Sequence, residues 1–114
     1  MANLKSEYKC ALLLTIDLIG GKWKLRLLWH IIHGDNRFSL LRRAIPEITE
    51  KMLTTQLKEL ENSGMIVRWV DRGQVPVKVE YSVSGEYDSI IPIIDDLCNF
   101  TKEFAKKNKI YIPS

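Results

Sequence analysis

The sequence of 114 residues predicts an α+β domain built from five helices and one β-hairpin. Up to Gly64 the apolar residues recur with helical spacing. After Gly64 two β-branched runs, residues 65–70 and 77–83, predict strands, and a last helical stretch follows. A short helix, a tight turn, a longer helix and a hairpin in this order are typical of a winged helix-turn-helix domain. We assign residues 1–114 to this one domain, with the helix-turn-helix core at about residues 22–83.

The first predicted helix covers about residues 8–19 and is apolar on two sides. One face consists of Tyr8, Leu12, Ile16 and Ile19. The nearly opposite face consists of Leu14 and Leu18, with Cys10 beside them if the helix extends that far. Because a helix with two apolar faces has to bury both, we expect one face in the core and the other against a second partner.

The second predicted helix covers residues 22–33, and its apolar arc is centred on Leu27, Leu28 and Ile31. Lys24 falls inside this arc. We therefore expect its ammonium group to reach out to water along the apolar stem of the side chain.

A short helix follows after a turn. Arg37 and Phe38 are expected to form a short extended piece, after which Ser39 caps a helix over residues 40–44. Pro46 ends this helix, because the residue before a proline disfavours helical geometry.

The longer helix and the hairpin come next. Thr49 is a good N-cap for a helix that runs to Asn62, and Ser63 with Gly64 closes it. The two strands then surround a turn at residues 71–73.

The last predicted helix begins at Ser84 as its cap and continues to about Lys107, with Pro92 marking a kink or a restart. Its apolar stripe consists of Ile90, Ile94, Leu97, Thr101 and Phe104, widened by Ile91, Ile93, Cys98 and Phe100. This arc covers about half of the circumference, more than the ~100° that a core-facing stripe requires. Dimerisation through the helices at about residues 8–19 and 84–107 is the simplest explanation.

The helix over residues 50–62 is the candidate recognition helix. Leu53, Leu57 and Leu60 share its core-facing side. The opposite side carries Lys51, Thr54, Thr55, Lys58 and Asn62, and no carboxylate. Lysines neutralise phosphates, whereas Thr and Asn can bind base edges or backbone oxygens. Further candidate phosphate contacts are Arg42 and Arg43 on the preceding helix, Thr49 at the helix start, and Arg72 and Lys78 on the hairpin.

Charge is distributed as a nucleic-acid surface requires. Residues 22–78 hold eleven Lys and Arg against six Asp and Glu, whereas the rest of the chain is slightly acidic. The net charge of +3 is modest, so this distribution supports DNA binding only together with the recognition helix.

Composition excludes other classes of protein. We find no nucleophile motif, phosphate loop or clustered carboxylates, so an enzyme is not expected. The two histidines, His30 and His33, have no third ligand at suitable spacing, and we expect neither a metal nor a cofactor. Two distant cysteines favour a reducing, cytoplasmic location. No apolar run reaches the roughly 18 residues that a membrane span needs.

Several runs resemble the HxlR-type family of bacterial and archaeal transcriptional regulators. They are DLIGGKWKLRLLWHI, RFSLLRRAIPEITEKMLTTQLKELENSGMIVR and VEYSVS. The resemblance covers roughly residues 10–100. It implies a MarR-like winged helix, a homodimer joined through its terminal helices, and binding to palindromic operators on double-stranded DNA. Expected interface residues are Cys10, Leu14, Leu18, Ile91, Ile94, Leu97, Cys98 and Phe104.

The resemblance also implies a role for Cys10, which matches a cysteine that senses oxidants or electrophiles in many members. A helix N-terminus and the neighbouring Lys5 and Lys9 would favour its thiolate. The alternative is an inert thiol packed in the dimer interface. Cys98 lies on an apolar helix face and is expected in the core, with pairing to Cys10 across a dimer left open.

Three positions depart from the family pattern. Ala11 replaces the usual proline after the cysteine, so the geometry around Cys10 can differ. Tyr87 and Phe100 replace a usual glycine and a usual tryptophan, and both changes concern dimer packing. A winged helix that binds protein instead of DNA remains the competing hypothesis, with a small-molecule or oxidant effector open in either case.

Overall fold

A computed structural model describes residues 4–113. The helices are α1 (Ala11–Ile19), α2 (Lys24–Ile32), α3 (Phe38–Ala44), α4 (Glu50–Asn62) and α5 (Ile90–Lys107). The strands β1 (Ile66–Asp71) and β2 (Lys78–Val83) lie between α4 and α5, and a 3₁₀ turn (Gly85–Tyr87) follows them. This order is the winged helix-turn-helix order that the sequence predicts, with α3 and α4 as the helix-turn-helix pair.

Helix α4 begins and ends where its local sequence predicts. The backbone N–H of Met52 donates to Thr49 Oγ1 at 3.0 Å, which satisfies one of the free donors at the helix start. At the other end Gly64 has φ +84°, a conformation that glycine adopts at little cost. The N–H of Met65 then donates to the carbonyl of Leu60, so the helix closes in a Schellman motif.

The hairpin is a two-stranded antiparallel sheet in which Ile66 pairs with Val83 and Asp71 with Lys78.

Arg37 and Phe38 were expected to be extended; instead Arg37 is the N-cap of α3 and Phe38 its first residue. The Asn36 carbonyl, just before α3, accepts a hydrogen bond from the N–H of Tyr81 on the outer edge of β2 at 2.8 Å. Helix α3 therefore begins at Phe38, and the expected cap at Ser39 is wrong.

The terminal helices begin later than the sequence suggests. Helix α1 starts at Ala11, because Cys10 is extended with φ −155° and the hydroxyl of Tyr8 donates to Asp17 Oδ2 at 2.6 Å. The segment before α1 therefore folds back along it, and Tyr8 does not share a helical face with Leu12.

Ser84 does not cap α5 either, since the 3₁₀ turn intervenes and the helix starts at Ile90. Pro92 is the third residue of α5 and produces no restart there. The first-turn N–H groups of a helix have no intrahelical partner, so a proline is tolerated at this position.

The core lies where α2, α3, α4 and the hairpin meet. Its fully buried side chains are Leu27, Leu28, Leu41, Ile45, Ile48, Leu53, Leu60 and Ile66. The expectation that the Lys24 ammonium reaches water is wrong. Lys24 is only 7% exposed, and its Nζ lies 2.8 Å from Glu59 Oε1 on α4. The carboxylate supplies the counter-charge inside the protein that the lysine would otherwise have found in solvent.

Candidate nucleic-acid interface

The outward face of α4 is the centre of the candidate interface. Leu53, Leu57 and Leu60 are buried, which turns the opposite side of the helix to solvent. Lys51, Thr54, Lys58 and Asn62 are exposed on that side. Thr55 is half-buried and its hydroxyl donates to the Lys51 carbonyl at 2.9 Å. The hydroxyl proton of Thr55 is therefore already engaged within the helix.

Gln56 is half-buried on the flank of α4, nearer to the buried leucines than to the outward face. Its Nε2 lies 3.5 Å from the sulfur of Met52, one turn earlier.

The two arginines of α3 differ in their surroundings. Arg42 Nη1 lies 3.4 Å from Glu50 Oε1 in the first turn of α4, so this ion pair links the two helices. Arg43 is exposed and makes no ion pair with another residue of the described chain. Arg43 is thus the α3 cation available to an outside anion.

The hairpin carries an exposed arginine near its turn and a lysine that already forms an ion pair. Arg72 is exposed after β1. Lys78 is half-buried in β2, and its Nζ lies 3.1 Å from Glu80 Oε1. The hydrogen bond from Lys78 holds the pKa of Glu80 below its ordinary value. Arg68 on β1 is also exposed and is a further cation, which was not among those predicted from the sequence.

The terminal helices leave a large apolar surface uncovered. On α1, Leu12 is 72% and Ile16 62% exposed. On α5 a single stripe is exposed, consisting of Ile93, Leu97, Phe100 and Phe104. We refer to these six residues as the apolar face.

The expected interface residues divide between this surface and the core. Leu97, Phe104 and Leu14 are exposed, and Ile91 is half-buried. Ile94 is only 3% exposed within one chain, which corrects its expected place at the interface. Leu18 and Cys98 pack partly against the core. Ile94 is buried because its side of α5 packs onto the helix-turn-helix core.

The two cysteines are free thiols in different environments. Cys10 is exposed at the start of α1, and its side chain makes no capping hydrogen bond there. In the folded-back segment before it, the N–H of Lys5 donates to the Tyr8 hydroxyl at 3.1 Å. The hydrogen bond to Asp17 raises the pKa of Tyr8. Cys98 is half-buried on α5.

Both histidines have separate partners. His30 Nδ1 lies 3.0 Å from Asp35 Oδ2, whereas His33 stacks on Trp29 with ring centroids 4.1 Å apart. Across residues 4–113, no three His, Cys, Asp or Glu side chains are grouped as metal ligands. Within the same range, no helix is long and apolar enough to cross a membrane.

Helices α2, α3 and α4 form the core, and the hairpin forms the wing. Helix α4 is capped at its start and its outward face carries no carboxylate. This arrangement is that of a helix-turn-helix transcriptional regulator. The chain belongs to the family of HxlR-like helix-turn-helix proteins, whose model matches residues 18–109. It is 49% identical over 94 residues to YtcD, an uncharacterised HTH-type transcriptional regulator of Bacillus subtilis (strain 168), covering 82% of this chain and 74% of that protein.

Solved structures agree with this assignment. A crystal structure of ytcD superposes with a TM-score of 0.76 at 44% identity, covering 85% of this chain and 98% of that one. The redox regulator HypR in its oxidised form superposes with a TM-score of 0.73, also at 44% identity, and covers 86% and 96%. YtcD and HypR are both described as regulators.

Proposed function

We propose that this protein is a sequence-specific DNA-binding regulator whose helix α4 enters the major groove. The observation that carries the proposal is the outward face of α4, where Lys51, Thr54 and Lys58 are exposed while the leucines of the same helix are buried. Such a face offers cations to phosphates and hydroxyls to bases. A DNA-binding regulator of this kind acts in the cytoplasm, together with the chromosome.

The neighbouring cations fit contacts to the DNA backbone. Arg43 and Arg72 are exposed and would reach phosphates on either side of the groove. Arg42 and Lys78 would have to exchange Glu50 and Glu80 for phosphate oxygens. The free N–H groups at the start of α4, beside Thr49, add a further anion-binding position.

The proposed active form is a homodimer that binds a palindromic operator. The apolar face supports this, because a stripe of Ile93, Leu97, Phe100 and Phe104 is seldom left in water on one helix. Two-fold symmetry would then place two copies of α4 on two half-sites related by the same symmetry.

Cys10 is proposed as an oxidant-responsive residue. Its thiol is exposed at the N-terminus of α1. The similarity to HypR, described as a redox regulator, supports this role. Inert packing in the interface is the alternative.

DNA binding is tested by selecting an operator from a random duplex library and measuring affinity by fluorescence anisotropy across salt concentrations. We expect Lys51→Ala and Lys58→Ala each to weaken binding and to reduce the slope of log K against log salt by about 1. Lys107→Ala, an exposed lysine of α5, is the matched control and should leave the slope unchanged. Wild-type affinity in both α4 variants would refute the assignment of α4.

The same titration separates DNA binding from the competing hypothesis of a protein-interaction module. A regulator that binds DNA loses affinity steeply between low and moderate salt. A module that binds only protein would enrich no sequence from the library at any salt concentration.

Dimerisation is tested by sedimentation. Phe100→Glu places a charge in the apolar face and should shift the protein from dimer to monomer. Val75→Glu is the matched control, because Val75 is fully exposed on the hairpin, outside the apolar face. A wild-type protein that sediments as a monomer at micromolar concentration would contradict the dimer.

The role of Cys10 is tested with diamide. The DNA affinity of wild type should change on treatment, that of Cys10→Ser should not, and Cys98→Ser should respond like wild type. If diamide leaves the DNA affinity of wild type unchanged, Cys10 has only a structural role.

A further inference from the structure

Thr55 lies at the centre of the outward face of α4, and its hydroxyl is already used within the helix. On a helical wheel it lies nearly opposite the three buried leucines. Its hydroxyl donates to the Lys51 carbonyl oxygen at 2.9 Å. This hydrogen bond selects one rotamer, because a β-branched side chain has few positions available in a helix. The group that Thr55 can offer to a partner beyond α4 is therefore mainly its methyl group.

A second apolar group lies next to Thr55 on the same helix. Met52 comes three residues earlier, so the two side chains are neighbours on the helix surface. Met52 is 37% exposed, whereas the leucines of α4 are buried. Its sulfur accepts a hydrogen bond from Gln56 Nε2 at 3.5 Å, on the side away from Thr55. Met52 and Thr55 thus form a small apolar pair beside a face that is otherwise cationic and polar.

Lysines lie on both sides of Thr55 along the helix. Lys51 comes one turn before it and Lys58 three residues after it, and both are exposed. Each lysine carries its charge at the end of a flexible four-carbon stem. In a major groove these ammonium groups can extend to phosphates, whereas the short side chain of Thr55 faces the base edges. Thr55 therefore occupies the position on α4 where the base sequence can be read.

The apolar group that the major groove presents is the 5-methyl group of thymine, which a threonine methyl group can contact. The partners that other bases prefer are missing or engaged at this place. An amide that could read adenine belongs to Gln56, and it already donates to Met52. On the outward face of α4, which the structure describes in full, no carboxylate is present to accept from cytosine. Thymine is the base that fits the Met52 and Thr55 side chains.

We propose that Thr55, supported by Met52, reads a thymine of the operator through contact with its 5-methyl group. This inference rests on the proposed function, and it names the base and the chemical group that the recognition helix discriminates. The hydrogen bond to the Lys51 carbonyl holds the methyl group of Thr55 in position. Lys51 and Lys58 bind phosphates and supply affinity that does not depend on sequence.

Four pyrimidines test the contact on the full-length protein. Each pyrimidine position of the selected operator is made in turn with thymine or uracil opposite adenine, and with 5-methylcytosine or cytosine opposite guanine. The two members of each pair differ only in the methyl group. At one position wild type should bind the thymine duplex about fourfold more tightly than the uracil duplex, the factor that corresponds to ~0.8 kcal/mol for one buried methylene-sized group. At that position 5-methylcytosine should be preferred to cytosine by a similar factor.

Variants of Thr55 connect this preference to one side chain. Thr55→Ser keeps the hydroxyl but removes the methyl group, and should reduce the ratio of thymine to uracil affinity to about one. Thr55→Val keeps a methyl group without the hydroxyl, and should retain the ratio of about fourfold because valine strongly prefers one rotamer in a helix.

Thr101→Ser is the matched control. The hydroxyl of Thr101 on α5 donates to the Leu97 carbonyl at 2.9 Å, the same local hydrogen bond outside the candidate interface. This variant should keep the wild-type preference for thymine over uracil.

Three results would overturn the proposal. One is equal affinity of wild type for thymine and uracil at every position. Another is a preference that persists in Thr55→Ser, which would assign the effect of the methyl group to the shape of the DNA or to a different residue. The third is a preference that is lost in Thr55→Val and kept in Thr55→Ser, which would make the hydroxyl the group that reads the base.

Failure of this inference can be distinguished from failure of the proposed function. An operator that is bound with the expected salt dependence, but without any dependence on a thymine methyl group, would refute this inference alone. Selection of no operator from the library would refute the proposed function, and this inference with it.

Discussion

Lys24 Nζ lies 2.8 Å from Glu59 Oε1, and both side chains are more than nine-tenths buried. This ion pair joins the first residue of the core helix α2 to the proposed recognition helix. Either charge alone would be costly in the interior, so the two side chains stabilise the protein only as a pair. The orientation of α4 therefore depends on a contact hidden from DNA.

We expect Lys24→Met to lower the free energy of unfolding by about 3–5 kcal/mol at neutral pH, because a buried carboxylate loses its counter-charge. The double variant Lys24→Met/Glu59→Leu should recover most of this loss. Urea unfolding measures both, with Lys58→Met, an exposed lysine of α4, as control. A single variant as stable as wild type would show that water reaches the pair.

Thr49→Ala should cost about 1 kcal/mol of stability, because the N–H of Met52 loses the hydroxyl that accepts it. Thr54→Ala, on the exposed side of the same helix, is the matched control and should change stability by less than about 0.5 kcal/mol. Thermal unfolding compares the two variants. Equal effects of both would mean that the cap contributes nothing beyond ordinary helix propensity.

Lys109→Gly should stabilise the protein by up to about 1 kcal/mol, because lysine at φ +56° is in a conformation that glycine adopts without steric cost. Lys107→Gly, inside the last turn of α5, should destabilise by a similar amount. Urea unfolding midpoints measure both variants, and the test is whether their stabilities change in opposite directions. Destabilisation by both variants would mean that the chain does not reverse at Lys109.

The ion pair between Lys78 and Glu80 predicts a dependence of stability on pH. The pKa of Glu80 is lowered in the folded protein, so its contribution is present above the ordinary glutamate pKa of about 4.3 and is lost as the pH falls through the folded value. Glu80→Gln should therefore be less stable than wild type at pH 7, with the difference vanishing in acid. Glu103→Gln, a change at an exposed glutamate of α5, is the matched control. A Glu80→Gln difference that stays constant down to acid pH would refute the linkage.

The first and last residues of α4 were predicted correctly, because residues close to them in the sequence determine where the helix begins and ends. Thr49 as a cap and Gly64 as a left-handed residue act within one helical turn, so no distant contact is needed to decide them. The winged helix order followed for the same reason, from periodicity and turn residues. The outward face of α4 could also be assigned, since a helical wheel fixes which residues oppose the leucines.

Only the tertiary structure decided which apolar side chains face the core and which remain exposed. Helical periodicity placed Ile94 and Leu97 in one stripe, yet packing against α2 buries the first and leaves the second 46% exposed. Lys24 was assigned to solvent because nothing in its own helix offers a counter-charge, and Glu59 comes from 35 positions further along the chain. Local sequence determines where a helix begins, ends and turns its polar side, but burial and charge pairing depend on residues that only folding brings together.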